Sequence, residues 1–193
     1  MPMTAHILGR RTGPLRWSAP TCLALVAVGC GAPRNDPQRG PMAPDIFKIV
    51  KFFPASMWRD FDPADANPEG FQMTLYLISG KTDKGAFGDG TIQVDLHAAT
   101  RDAEGRKKYE PVKRWSFAPA DAFPFRVKEQ SVMGWGYQLY PNWGDADVLG
   151  KEVRINVSYV RGDGKVIQSR PTFRTVPIYD MDAYLAARSG TQP

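Results

Sequence analysis

Few residues in this chain are of a type that does covalent or metal chemistry. It carries two histidines, His6 and His97, and two cysteines, Cys22 and Cys30. His97 lies in the alternating run Thr91-Ile92-Gln93-Val94-Asp95-Leu96-His97, which puts it with Gln93 and Asp95 on the polar side. A Ser-His-Asp arrangement would need this one imidazole as its base, and an exposed strand position makes it a solvated residue instead. Asp145 and Asp147 form a carboxylate pair of the kind used in acid–base catalysis, but the surrounding Trp143-Gly144-Asp145-Ala146-Asp147 reads as a solvated loop. Asp60-Phe61-Asp62-Pro63-Ala64-Asp65-Ala66-Asn67-Pro68-Glu69 gathers hard oxygen ligands of the sort that bind Ca²⁺. It breaks the EF-hand pattern, because position six is Asp65 rather than Gly and position twelve is Gln72. Asp and Asn also form loops without any metal. The chain shows no nucleophile elbow, phosphate-cradling glycine loop or histidine metal motif. The expectation is a protein with no catalytic residue, no cofactor and no assigned metal ligand.

Aromatic chemistry is concentrated in Met133-Gly134-Trp135-Gly136-Tyr137-Gln138-Leu139-Tyr140-Pro141-Asn142-Trp143-Gly144. As a strand, this places Trp135, Tyr137 and Leu139 on one face, with Gly134 and Gly136 opposite. Bare glycines in a strand mark a bulge or a place where something large approaches. That neighbour is either another core aromatic or a sugar ring stacking on an exposed Tyr140 or Trp143. Tyr140 and Trp143 are therefore the candidate ligand contacts.

Residues 1–29 do not read as part of a fold. Their only charges are Arg10, Arg11 and Arg16, followed by the apolar run Cys22-Leu23-Ala24-Leu25-Val26-Ala27-Val28 and then Gly29-Cys30. A basic segment, a short apolar core and small residues at a cut define an export signal. The run is far shorter than the roughly 20 residues that span a bilayer. Ala27-Val28-Gly29-Cys30 resembles the lipobox of bacterial lipoproteins, with Ala27 where a large aliphatic is usual. The resemblance implies cleavage before Cys30, acylation of that cysteine (palmitate or a similar chain), and membrane attachment. Ala27-x-Gly29 also fits ordinary secretory cleavage. One acyl chain binds a membrane only marginally, whereas several make attachment stable. Residues 31–45 (GAPRNDPQRGPMAPD) hold four prolines and no apolar periodicity, so 30–45 reads as a lipidated cysteine and an extended tether. Gly31 after the cysteine resembles the class sorted to the outer membrane or cell surface of two-membrane bacteria.

The elements that would position all these residues are strands. From Phe47 onward the apolar period is two: Phe71, Met73, Leu75 and Leu77 share a face, as do Ile92, Val94 and Leu96, and Val153, Ile155, Val157 and Tyr159. Shorter strands are expected at 47–53, 112–117, 123–127, 135–140, 166–169 and 172–176. Arg161-Gly162-Asp163-Gly164-Lys165 is the clearest hairpin turn, with Asp102-Ala103-Glu104-Gly105 and Gly88-Asp89-Gly90 alike. One helix is expected at 180–188, with Met181, Tyr184 and Leu185 spaced to touch the sheet. The fold class is all-β: an antiparallel β-sandwich, immunoglobulin- or fibronectin-III-like, over 46–193 with a short C-terminal helix. The body resembles the β-sandwich domains of uncharacterised envelope lipoproteins.

Three other motifs reduce to local structure. Arg161-Gly162-Asp163 is the hairpin itself, Asn156-Val157-Ser158 fits a glycosylation acceptor but lies mid-strand, and Arg106-Lys107-Lys108 flanks a turn without interleaved aromatics. The 193 residues carry 25 Lys+Arg against 20 Asp+Glu, net +5. With the three leader arginines set aside the net charge falls to +2, and no nucleic-acid partner is expected. The sequence thus points to a non-catalytic envelope lipoprotein, with the membrane as one partner through Cys30 and a protein or glycan as the other. A carbohydrate- or small-ligand-binding sandwich is the second reading, and a hydrolase the third.

Overall fold

The computed structural model of the chain describes residues 40–62 and 66–189. In order they form β1 (Ile46–Phe52), β2 (Trp58–Arg59), β3 (Gly70–Phe71), β4 (Met73–Ser79), β5 (Gly85–Ala86), β6 (Thr91–Arg101), β7 (Lys107–Phe117), α1 (Pro119–Ala122), β8 (Tyr137–Leu139), β9 (Glu152–Val160), β10 (Val166–Gln168), β11 (Thr172–Thr175) and α2 (Met181–Ser189). No helix among the described residues is long and apolar enough to cross a membrane. Cys30, its leader and residues 31–39 lie outside the described residues, as does Asp65.

All the ladders between strands are antiparallel, and they make two main sheets. In the first, β1 and the pair β5 and β8 flank β4 on opposite edges, β5 against Leu77 and Ile78 and β8 against Met73–Leu75. In the second the order is β10-β9-β6-β7, and β11 continues the edge that β10 begins on β9. Both central strands thus have one edge covered by two short strands. The alternation expected from sequence is what builds the core: Met73, Leu75 and Leu77 face Ile92, Val94 and Leu96 and the β9 set Val153, Ile155, Val157 and Tyr159, all of them buried. Phe71 is buried with them, but its strand breaks at Gln72, whose N–H bonds Met57 instead. Around Phe71 gather the rings of Phe53, Trp115 and Trp143, with Trp58 edge-on to Trp143 at 5.9 Å.

Turn chemistry explains the connections. Gly105 and Gly164 close the β6–β7 and β9–β10 hairpins with positive φ, as the Asp-Gly and Glu-Gly signals require. Gly88-Asp89-Gly90 is not a hairpin. It is the crossing from β5 in one sheet to β6 in the other, and it is held by side chains. The Gly88 N–H donates to the Tyr137 hydroxyl (3.0 Å), and the Gly90 N–H donates to the Tyr159 hydroxyl (2.8 Å). Tyr159 in turn donates to Asp89 Oδ1 at 2.9 Å. A Cβ at Gly88 would collide with the Tyr159 ring, and one at Gly90 with the Val160 carbonyl, so neither position accepts a side chain.

Three expectations are corrected. Residues 123–127 are no strand: α1 runs into a 3-10 turn at Phe123–Phe125, where Pro124 supplies the helical φ and lacks the N–H a strand would use. The helix at the C-terminus is present, but Met181 and Leu185 are 52% and 55% exposed and nothing on α2 is fully buried. The folded part also reaches back to Gly40. Ala43 N–H donates to Phe87 O and Phe87 N–H to Pro41 O, while Asp45 accepts from Ser79 and from the Lys81 N–H.

Tyr159 is fully buried and its hydroxyl both accepts and donates. Tyr159→Phe should cost about 1–3 kcal/mol by orphaning the Gly90 N–H. A urea transition with a lowered midpoint and unchanged slope checks this, and an unchanged midpoint would mean that the tie carries no stability.

Candidate functional site

The two aromatic contacts expected at the ligand site do not share one. Trp143 is only 4% exposed, stacked on Phe71 at 6.3 Å, with its backbone N–H donating to Glu69 O. Its spacing looked like a surface loop, but the loop folds inward to seal the end of the sandwich. Tyr140 is 42% exposed and faces a separate depression beside Phe125, Arg126 and Gln138. The glycines do mark close approaches, and the groups that approach are the chain's own: a Cβ at Gly134 would meet the Gly85 backbone at 2.5 Å, and one at Gly136 the Leu75 carbonyl at 2.7 Å and the Tyr76 ring at 3.0 Å.

The structure brings the remaining acidic motifs together. A cleft of about 510 Å³ lies where the Trp143 loop, the 60–69 loop and α2 meet, lined by Asp62, Glu69, Asp145, Asp147, Tyr184 and Arg188 among others. Most of these groups already have work within the fold. Glu69 Oε2 accepts from the Phe61 and Asp62 N–H groups, Asp60 Oδ1 accepts from the Asp62 N–H, and Asp147 pairs with Lys151 at 2.9 Å. Arg188 holds the Tyr184 hydroxyl, which raises its pKa further. Among the described residues no three His, Cys, Asp or Glu side chains are grouped to hold a metal ion.

Asn67 has a different task from the ligand role its loop suggested. It is 3% exposed, accepts from the Tyr179 and Asp180 N–H groups (2.9 and 3.0 Å), and donates to Asp180 O at 3.0 Å. Asp180 then caps α2 by accepting from the Ala183 N–H at 2.8 Å. One buried amide thus fixes the entry of a helix that has little apolar contact of its own.

His97 is where alternation put it, on the outer face of the second sheet. Burial and the charge of Arg154 opposite it in β9 both hold its pKa below the usual imidazole value, Asp95 opposing them. Among the described residues its Nδ1 has no hydrogen-bond partner. Asp95 is paired with Arg114, so no carboxylate orients the ring. The basic trio beside the β6–β7 turn is neutralised residue by residue: Arg106 with Asp102 and Glu104, Lys107 with Glu152, Lys108 with Glu110. Arg161 and Asp163 likewise pair with each other at 2.7 Å.

Lys51 was not singled out by the sequence. A β-bulge between Ile46 and Lys48 leaves Phe47 and Lys48 exposed and turns Ile49 and Lys51 toward the core, opposite Leu77 and Leu75. Its ammonium crosses to the second sheet and donates to Ile155 O (3.2 Å) and Arg170 O (2.7 Å). Ile155 is the last β9 residue paired with β11 and Arg170 lies in the connection from β10 to β11; in the gap this leaves along β9, Ser169 Oγ accepts from the Val157 N–H. Burial pushes the Lys51 pKa down to about 8.

No family model matches the chain, and neither does any curated protein. Among solved structures it is similar to the crystal structure of MtrC from Shewanella baltica OS185, at 11% identity and a TM-score of 0.40. That likeness covers 65% of this chain and 21% of the other, so the chain matches about a fifth of that protein's length. Similarity at this level defines neither a family nor an activity.

Two measurements follow. Asn67→Ala should cost about 1–3 kcal/mol by orphaning the groups it joins and should speed amide exchange across 181–189; exchange equal to wild type would show that α2 is held otherwise. For Lys51, the unfolded amine titrates near 10.5 and the folded one near 8, so between those values the unfolded chain binds more protons and stability rises with pH. The urea midpoint should climb from pH 8 to 10, and Lys51→Met should flatten that climb. An equal slope in the variant would refute the assignment.

Proposed function

We propose that the chain is a bacterial envelope lipoprotein, anchored through acylated Cys30, whose β-sandwich is a non-catalytic interaction module. The observation that carries this reading is the order of segments in the sequence: a basic and apolar leader, small residues directly before Cys30, and a proline-rich stretch leading into strands. The described residues supply an antiparallel β-sandwich, an architecture that presents broad strand faces and loops for binding. The placement is the cell envelope, on the outer membrane or surface where the cell has two membranes.

Cys30→Ala should abolish incorporation of labelled fatty acid and move the protein from the membrane to the soluble fraction. A variant that still sediments with membranes to the wild-type extent would overturn the anchor, and a wild-type chain that is cleaved after Gly29 yet takes up no label would favour plain secretion.

A further inference from the structure

The outer face of the second sheet carries an arrangement that its charge pairing makes unusual. Alternation along β6 and β9 points Asp95, Arg154, Asn156 and Ser158 to the same side. The carboxylates there are already bound: Asp95 to Arg114, and Glu152 to Lys107 at 2.7 Å and to the Tyr109 hydroxyl. Arg154 stands between them and forms no ion pair among the described residues, and its Nε is buried without a partner. It is held in place by the Tyr109 ring, 5.1 Å from the guanidinium carbon, and Tyr109 packs on Phe173 at 5.4 Å. Small Ala99, opposite Tyr109 in the ladder, leaves the room for that ring to lean across the sheet. Phe173, opposite Arg154 in β11, is 45% exposed.

Arg154 lines a groove of about 300 Å³ together with Asn156, Ser158, Gln168, Ser169 and Asp95, whose carboxylate is held by Arg114. Among the described residues the side-chain amides of Asn156 and Gln168 have no hydrogen-bond partner, so both offer donors and an acceptor to the groove. β6 is paired on both sides here, and where β9 lacks a strand partner the Val157 N–H and carbonyl are met by Ser169, so recognition falls to side chains. Planar amides and hydroxyls match vicinal hydroxyl groups, the face of an exposed aromatic ring matches the C–H face of a sugar, and a fixed guanidinium matches a carboxylate in bidentate fashion.

We propose that this face of β9 and β6 binds a carboxylate-bearing saccharide, with Arg154 holding the carboxylate, Asn156 and Gln168 the hydroxyls, and Phe173 the ring. The proposal rests on the reading of the sandwich as an interaction module and supplies its ligand class. It moves the saccharide contact away from Tyr140 and Trp143, the first of which lies at another depression and the second in the core.

The test is titration of the full chain in detergent with hexagalacturonate, its fully methyl-esterified form, and acetate. The acid oligomer should bind, the ester at least about tenfold more weakly, and Arg154→Gln should lose about tenfold or more in affinity while Arg154→Lys keeps part of it. Asn156→Asp should also weaken binding of the acid, by placing a negative charge in the groove, and it serves if Arg154→Gln does not fold. His97 gives an independent signal. Its charged neighbours are Arg154, Asp95 and Arg114, and a bound carboxylate offsetting Arg154 should raise the His97 pKa seen by NMR. Absence of binding, equal affinity for acid and ester, or wild-type affinity in Arg154→Gln would each overturn the proposal. Acetate competing as well as the oligomer at equal concentration would reduce the site to a simple anion site and overturn the saccharide assignment. Titration in detergent does not depend on the anchor, so a negative result here leaves the Cys30 fractionation result to stand or fall separately.

Discussion

Where the chain leaves one sheet for the other, at Gly88-Asp89-Gly90, its amides have no strand to pair with. A buried N–H without a partner costs more than most single contacts contribute, and here the partners are two tyrosine hydroxyls from opposite sheets. Tyr137 belongs to β8 in the first and Tyr159 to β9 in the second. The crossing therefore fixes the distance and offset between the layers at one end of the core. The same hydroxyls demand glycine at Gly88 and Gly90, since any Cβ would displace a ring or a strand carbonyl. The aromatic cluster around Phe71 closes the core elsewhere, with Trp143 and Trp115 against it from the loop and from β7.

Each sheet then solves its boundary by assembling an edge from two short strands. The joint in the β9 edge leaves backbone groups open, and these are met by Ser169 from within the sheet and by Lys51 from across the sandwich. Chemistry that looks functional, a buried amine with a lowered pKa, is here a consequence of that joint. The acidic cleft beside α2 is similar in kind. Its carboxylates look like a ligand set in the sequence, and in the fold they turn loops, pair with Lys151, or sit at the rim.

Much of the architecture was legible because alternation is a local signal. β6 and β9 follow their period-two runs, the hairpins sit on their glycines, and the outer-face position of His97 follows from its neighbours. What escaped depends on contacts distant in sequence. Nothing near Trp143 announces that its loop folds onto Phe71, and nothing near Asn67 announces that it meets Asp180, more than a hundred residues on. The 123–127 segment is apolar enough to suggest a strand, and Pro124 decides for the 3-10 turn instead. Arg154 drew no attention because an arginine on a polar strand face is ordinary until its acidic neighbours are seen to be paired elsewhere.

The inward turn of Lys51 has a consequence for life in a crowd. β1 is a seven-residue edge whose outer side would otherwise invite a strand from a neighbouring copy. An ammonium drawn across that opening, bonded to Ile155 and Arg170, latches the rim and sets a charge in the path of any incoming strand. That latch discourages edge-to-edge pairing of copies at β1 while leaving the broad face of the other sheet open to contact.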